Sequence, residues 1–381
     1  MPWSARSAVD LREELVRLAA APGANFRELC RRFGISRTTG YKWLERYAEY
    51  GRTGLGDRSR ARHHQALQTR PEVEDAVLRL HDQHPWWGNR KLWARLQALG
   101  EPCVPSASTI QSILRRHGRT RDRNGAHQLP YQRFEREQPN ALWQMDFKGH
   151  FATSRGRCHP LTVLDDHSRY SLALQACGDE RGITVQKHLI GTFQRYGRPE
   201  QMLMDNGPPW GVDEGHAFTP LTVWLIRLGI TPLHGRPYHP QTQGKDERFH
   251  RTLNLEVIRN RIFPGLDAVQ HDFDRWRHIY NHERPHEALG LKPPSSRYSP
   301  SAHSFPEQLP TIEYDSPDTV RVARSSMGRI SFGGAEWKIG KSFVGLPLGI
   351  RPTITDGLYD VYFCHVKIRQ IDLRDTSSEV A

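Results

Sequence analysis

The sequence predicts a multidomain chain: all-α helix-turn-helix units first, an α/β layered core in the middle, and a small β-barrel at the end. Three observations predict it. Up to about residue 118 the apolar positions recur at helical spacing and are interrupted by Pro-Gly and Gly turns. From Leu142 short apolar runs alternate with amphipathic stretches, as in layered α/β proteins. After residue 318 only short apolar runs broken by Gly remain. A length of 381 residues suits about two to four domains.

The first unit spans residues 1–50. Val9, Leu11, Leu15, Val16 and Leu18 predict a helix that Pro22-Gly23 ends. In NFRELCRRFGISRTTGYKWLERY, Leu29, Cys30 and Phe33 form one stripe, Gly34 permits a tight turn, and Ser36 caps a second short helix. Leu44 and Tyr47 are the expected inner face of that helix. Two short helices joined by a Gly turn, with Arg and Thr opening the second, form a helix-turn-helix pattern. Its reading residues would be Arg37, Thr38, Tyr41 and Lys42, in the first turn and a half.

Residues 51–70 read as a basic linker. Its adjacent His63 and His64 have no Cys pair to complete a metal site. A second helix-turn-helix unit spans 71–118: PEVEDAVLRLHDQHP, WWGNRKLWARLQALG and PSASTIQSILRRHG are three helices. Ser106 caps the third, Ile110, Ile113 and Leu114 are its buried face, and Ser108, Thr109 and Gln111 are its DNA-reading candidates. Residues 119–141, with Pro130 and Pro139, read as another linker.

The core, with its trailing helix, spans 142–290. WQMDFKGHF, RCHPLTVLDD and YSLALQAC read as strands, and TVQKHLIGTFQRYG as a helix stopped by Gly197. QMLMDNG and ITPLHG are further strands. TPLTVWLIRLG, QGKDERFHRTLNLEVIRNRI and LDAVQHDFDRWRHIYNH are helices, the middle one long. Residues 293–310 read as a Pro/Ser linker, and 318–374 as the all-β domain.

Composition narrows the function. There are 54 Lys and Arg against 42 acids, a net +12, and residues 1–140 hold 25 basic and 15 acidic residues. The positive excess lies in the helical third and points to nucleic acid, although 45 of the 54 cations are Arg and a solvated Arg-rich surface would look the same. No long uncharged apolar run or signal-peptide core occurs, so the expectation is a soluble cytoplasmic protein with no membrane role. The five cysteines are scattered singly without C-x-x-C, against a disulfide framework or a thiolate zinc site.

Three acids stand at telling positions: Asp146 within the first core strand, Asp205 at the end of an apolar strand, and Glu247 near the start of the long helix. Strand ends and helix starts on one edge of an α/β sheet are where sites form. Converging carboxylates repel unless a cation lies between them, and hard oxygen donors suit Mg²⁺ or Mn²⁺. A carboxylate cluster holding two such ions is the general apparatus of phosphodiester chemistry. Singly, each acid has a plainer reading. Asp205 before Asn206-Gly207 can be a turn residue, and Glu247 can pair with Arg251 on an exposed helix face.

The ordered set WQMDF, LTVLDDHSRY, DNG at 205–207, HPQTQGKDERFHRTL at 239–253 and YNHERPHEALG at 280–290 resembles bacterial insertion-sequence transposases of the DDE class, whose core is similar to retroviral integrase. The resemblance covers about residues 25–374. It implies a ribonuclease H-like fold for about residues 142–262, with Asp146, Asp205 and Glu247 as catalytic triad and metal ligands and two Mg²⁺ or Mn²⁺ ions per active site. Transposon terminal inverted repeats and target DNA would be the substrates, a homo-oligomer would form in the synaptic complex, and the protein would be associated with the bacterial nucleoid. The interval between Asp205 and Glu247 holds 41 residues, longer than is usual in the family, and residues 207–218 are the expected place of the excess. Asp246 adjoins Glu247 where relatives often carry an apolar residue. Asp165 and Asp166 fall outside the triad positions and read as structural. Lys245, Arg248 and His250 could hold DNA phosphates or simply form a solvated helix face.

The resemblance thus implies a DNA transposase that frees a 3′-hydroxyl at the transposon end and joins it to target DNA by in-line phosphoryl transfer. The alternatives are a catalytically inactive transposase-derived DNA-binding regulator and a nuclease that cuts without joining. Intact acids argue against the first. Two helix-turn-helix units and a β domain are superfluous for the second.

Overall fold

The computed structural model describes residues 7–58, 69–120, 135–211, 218–235, 244–315 and 318–374. His63, His64, Pro130, much of the expected insertion at 207–218 and the HPQTQ part of the 239–253 stretch lie outside the described residues. The chain divides into two compact units, residues 1–68 and 69–381.

In the first unit, α1 (Ala8–Ala19) opens with a capping box between Ser7 and Asp10. Helix α2 (Phe26–Arg32) starts at Asn25 and α3 (Arg37–Tyr50) at Ser36, each cap oxygen accepting a backbone N–H three residues on. Gly34 turns between them at φ +65°. The expected inner face of α3 is rotated. Gly40 and Trp43 are buried and Leu44 half-buried, whereas Tyr47 is exposed. The cause is Gly40: a Cβ there would lie 2.7 Å from the Phe26 ring and 2.8 Å from Cys30 Sγ, so the two helices meet across a bare backbone.

In the second unit, α4 (Pro71–Gln83), α5 (Asn89–Ala98) and α6 (Ala107–Arg116) close around Val77, Leu80, Leu92, Leu96, Ile110 and Ile113. Trp86 and Trp87 precede α5 rather than open it. Trp87 is buried and stacks on His84 with ring centroids 3.8 Å apart.

The central sheet contains β1 (Leu142–Phe147), β2 (Phe151–Thr153), β3 (Gly156–Asp165), β4 (Ser171–Cys177), β5 (Gln201–Met204) and β6 (Thr231–His234). Strand β3 pairs antiparallel with β1, β2 and β4. On its other side β1 runs parallel to β5, and β5 parallel to β6. The mixed sheet is the layered core the sequence predicts. Side-chain alternation separates its faces. Trp143, Met145, Leu161, Val163, Met202 and Met204 face α7 (Gly182–Tyr196) and α8 (Pro220–Arg227). Cys158, Leu164 and Leu174 face α9 (Gly244–Leu253) and α10 (Leu266–His282).

Two expectations for this region change. The long helix at 243–262 is α9 followed by a π-helical turn, Asn254–Ile258, and Asn260 at φ +61° prevents its continuation. The Pro/Ser stretch 293–310 is not a free linker. Tyr298 and Phe305 pack on the core, Ser301 N donates to Tyr196 O (2.9 Å), and Arg198 N donates to His303 O (2.7 Å).

The last strands are β7 (Thr319–Val322), β8 (Arg329–Phe332), β9 (Ala335–Lys338), β10 (Pro347–Pro352), β11 (Leu358–Phe363) and β12 (Val366–Asp372). They form a four-stranded antiparallel sheet, β12-β11-β10-β7, and a hairpin, β8-β9. No ladder among the described residues closes them, so the expected small β-barrel is corrected to an open sheet plus hairpin. Their common core includes Ile330, Trp337, Phe343, Leu348, Val361 and Phe363, together with Val223 and Ile226 of α8. This explains why α8 is apolar on every side: Leu221, Trp224 and Leu225 face the central sheet, and Val223 and Ile226 face the terminal one.

Candidate active site

Residue parity on β1 decides where the first acid points. Trp143 and Met145 are buried toward α7 and α8, so Gln144 and Asp146 face the side of α9. Strand β5 runs parallel to β1 with Leu142 opposite Gln201 and Gln144 opposite Leu203. Continuing that register sets Asp205 beside Asp146, both at the carboxyl ends of neighbouring parallel strands. Asp205 Oδ1 accepts from Asn206 N (2.7 Å), and its carbonyl accepts from His234 Nδ1 (3.1 Å), which ties β5 to β6. Glu247 lies exposed in the first turn of α9.

The charges of the other two acids reach Asp146. Burial raises the Asp146 carboxyl to about 7, and the negative charges of Asp205, Glu180 and Glu247 push the same way. Among the described residues no three metal-binding side chains form a ready cluster. The donor chemistry nevertheless fits a divalent ion: the acids are hard oxygen donors, and a cation bound beside Asp146 would offset the charge penalty of its ionised form.

The neighbouring acids sort by burial. Asp246 is 1% exposed and its Oδ1 has no hydrogen-bond partner among the described residues, while Glu247 points outward. Burial first, then the Asp146 charge, pushes the Asp246 carboxyl well up. Asp165 is completely buried and accepts from Asn140 N, Ser168 N and Ser168 Oγ. Asp166, equally buried, accepts from Gln144 Nε2 (2.7 Å) and Arg136 N (2.8 Å).

Two phosphate-holding candidates are engaged inside the protein. Lys245 is neither solvated nor turned outward, because its ammonium pairs with the buried Asp166 carboxylate. His250 is also turned inward. Its Nε2 lies 2.9 Å from Thr162 Oγ1 and its Nδ1 3.9 Å from Asp146 Oδ2, and Thr162 Oγ1 donates to Asp146 O (3.0 Å). Burial, then the Lys148 charge, lowers His250 to about 4, so the imidazole is neutral near pH 7. Lys245 and His250 therefore fasten α9 to β3 and to Asp166 just beyond its end, on either side of Glu247. Arg248 is exposed. Thr162 has no signal in the sequence, since its role depends on the register that sets it opposite Asp146.

The helix-turn-helix candidates have mixed settings. Arg37, Thr38 and Lys42 are exposed. Tyr41 is 59% exposed although its ring leans on Phe26, with centroids 4.6 Å apart. On α6, Ser108 is exposed, Gln111 is half-buried, and Thr109 is engaged by the Ser106 cap through its N–H. In the terminal module, Arg351 forms a double hydrogen bond with Asp318 (2.9 and 2.8 Å), and Arg329 lies 3.5 Å from Glu336.

Family models match successive parts of the chain. Residues 136–240 and 228–294 match models of the integrase core domain, and 318–379 match the C-terminal domain of the IS481 family transposase. Residues 11–63 match a helix-turn-helix domain and 39–114 a homeodomain-like domain. A 39.2 kDa insertion element IS476 protein of Xanthomonas euvesicatoria is 29% identical over 157 residues, covering 41% of this chain and 44% of that protein. The transposase InsD of an Escherichia coli insertion element is 26% identical over 239 residues, covering 58% and 77%. The chain thus spans less than half of the IS476 protein and more of InsD. Among solved structures, the HTLV-2 integrase catalytic core in complex with magnesium is similar at 16% identity and a TM-score of 0.32, covering 43% of this chain and 99% of that one. No described helix is long and apolar enough to cross a membrane.

Proposed function

We propose that this chain, by its matched domains a bacterial insertion-sequence transposase with an integrase-like core, binds transposon ends, cleaves DNA to free a 3′-hydroxyl, and joins that hydroxyl to target DNA. The observation that carries the reading is the acid geometry: Asp146 and Asp205 end adjacent parallel strands on the face covered by α9, and the charges of Asp205 and Glu247 reach Asp146.

Asp146 and Asp205 would hold two Mg²⁺ or Mn²⁺ ions, with Glu247 completing the second site. Bound there, such ions supply Lewis-acid activation of the attacking oxygen and neutralise developing charge. The protein's share is positioning, which carries most of the work in an in-line phosphoryl transfer. Strands β1 and β5 fix two carboxylates in one register. Lys245 and His250 hold the helix that brings the third. His250, neutral, carries no charge that competes for the carboxylates.

The domains divide the labour. Residues 1–50 and 71–118 grip the terminal inverted repeats, with Arg37, Thr38, Tyr41 and Lys42, and Ser108, Thr109 and Gln111, as reading residues. Arg248 reaches a phosphate near the site. Residues 142–290 perform the chemistry. Residues 318–374 are a DNA or assembly platform, and a homo-oligomer pairs the two ends. The test is a labelled transposon end with Mg²⁺: wild type nicks and joins it, whereas Asp205→Ala binds it and does neither. Equal loss of binding and cutting in Asp205→Ala makes Asp205 structural and the reading wrong.

A further inference from the structure

The YNHERPHEALG stretch, residues 280–290, carries none of the three acids yet joins the elements that matter most. Its side chains divide between two partners. Glu283 receives Arg95 of α5, inside the second helix-turn-helix unit, and both side chains are largely covered. Arg284, the next residue, pairs with Glu256 at 3.1 Å, and both are nearly buried, at 8% and 10%. Glu256 lies in the π-helical turn that directly extends α9, and its other oxygen accepts from Trp276 Nε1 (2.8 Å). Consecutive residues of one stretch thus hold the DNA-reading unit and the extension of the helix that bears Glu247.

Apolar contacts follow the same route. Ile279 packs into the core of the second helix-turn-helix unit. Tyr280 lies edge-on to Phe249, two residues beyond Glu247, with centroids 4.9 Å apart. Arg90 of α5 approaches Glu287 at 3.5 Å, a second charge pair across the same junction. Asn281 exchanges two hydrogen bonds with Ser171 of β4 (2.8 and 2.9 Å), which fixes the junction to the sheet.

We propose that Glu283 and Arg284 are positioning residues that couple DNA-end recognition by the second helix-turn-helix unit to the placement of Glu247. This rests on the transposase reading above and deepens it. Cognate DNA bound along α6 loads α5, and the load passes through Arg95–Glu283 to the end of α10. From there Arg284–Glu256 carries it to the turn that anchors α9. Random DNA, gripped without register, applies no such load. The junction therefore contributes to the difference between cognate and non-cognate cutting rather than to binding itself.

The experiment uses the full chain with Mg²⁺ and measures end binding and single-turnover nicking on cognate and scrambled ends. The variants are Arg95→Glu, Glu283→Arg and the double reversal. Each single reversal should slow cognate nicking by about tenfold, the size of effect that substitutions along a coupled route between two sites produce. Affinity for the end should stay within about twofold, and scrambled-end nicking should not change. The double reversal should restore most of the lost rate. If a single reversal lowers the melting temperature, Glu283→Gln reads the same coupling more gently. Singles that nick cognate DNA normally, or a well-folded double reversal that recovers nothing, overturn the coupling. A wild-type chain that nicks neither end would instead overthrow the transposase reading, and the coupling with it.

Discussion

Asp146→Asn isolates the electrostatic cost of the acid cluster in the metal-free protein. The substitution keeps the shape of the side chain and removes its charge. The carboxyl is raised from 3.8 to about 7, mainly by burial and then by Asp205, Glu180 and Glu247. A folded-state value above the unfolded one means that the native protein holds the proton more tightly. The stabilisation is complete below the unfolded value and is lost as pH climbs through the folded one. A shift of about three units corresponds to roughly 4 kcal/mol. The side chain is 27% exposed, so water screening reduces this to roughly 2–4 kcal/mol. In EDTA, wild type should therefore lose that much stability relative to Asp146→Asn between pH 4 and pH 8, read from denaturant unfolding of both proteins at each pH. Millimolar Mg²⁺ at pH 8 should return the lost stability to wild type and do little for the variant. Parallel pH curves for the two proteins would refute the argument, because they would mean that Asp146 titrates like a free carboxyl.

The remaining expectations are simpler. Glu247→Gln should abolish nicking, whereas Asp246→Asn should retain most of it, since Asp246 is buried and points away from its exposed neighbour; activity in the reverse order reassigns the third ligand. Gly40→Ala should destabilise the first unit by roughly 1–3 kcal/mol, because the added methyl meets Phe26 and Cys30, and thermal unfolding measures it. Arg37→Ala should cost roughly 1–3 kcal/mol in binding to the cognate end and much less on scrambled DNA, whereas Lys42→Ala should weaken both alike and flatten the salt dependence, as titrations at several salt concentrations would reveal.

Much of the architecture was legible because local signals agreed. Ser36 and Ser106 cap the helices the sequence predicts, Gly197 stops α7, and the α10 sequence forms one helix from Leu266 to His282. The acids stood at telling positions, but it was the family resemblance of the ordered motifs that selected them as a triad. What the sequence hid depends on contacts between distant segments. Tyr47 faces solvent because Gly40, and not a bulky side chain, sets the spacing of α2 and α3. Lys245 looked like a surface cation, but its partner Asp166 is 79 residues away. His250 lies 88 residues from Thr162, and only the β1–β3 register reveals the bond. The Pro/Ser composition of 293–310 suggested slack chain, while Tyr298 stacks on Tyr170 at 4.2 Å and secures it.

Helix α8 sets a rule for cutting and rejoining this chain. Val223 and Ile226 are integral to the terminal core, and Leu221, Trp224 and Leu225 to the central one, so one short helix is owned twice. A boundary placed at the Pro-rich stretch looks clean by composition, yet a fragment ending there would bare two aliphatic side chains that have no polar edge to soften them. Such fragments should precipitate or associate through that stripe. A terminal module transplanted from a relative would have to bring matching partners for positions 223 and 226. Recombination that swaps the tail alone is therefore penalised by solubility before activity is ever tried, and the tail and α8 travel best as a single inherited block.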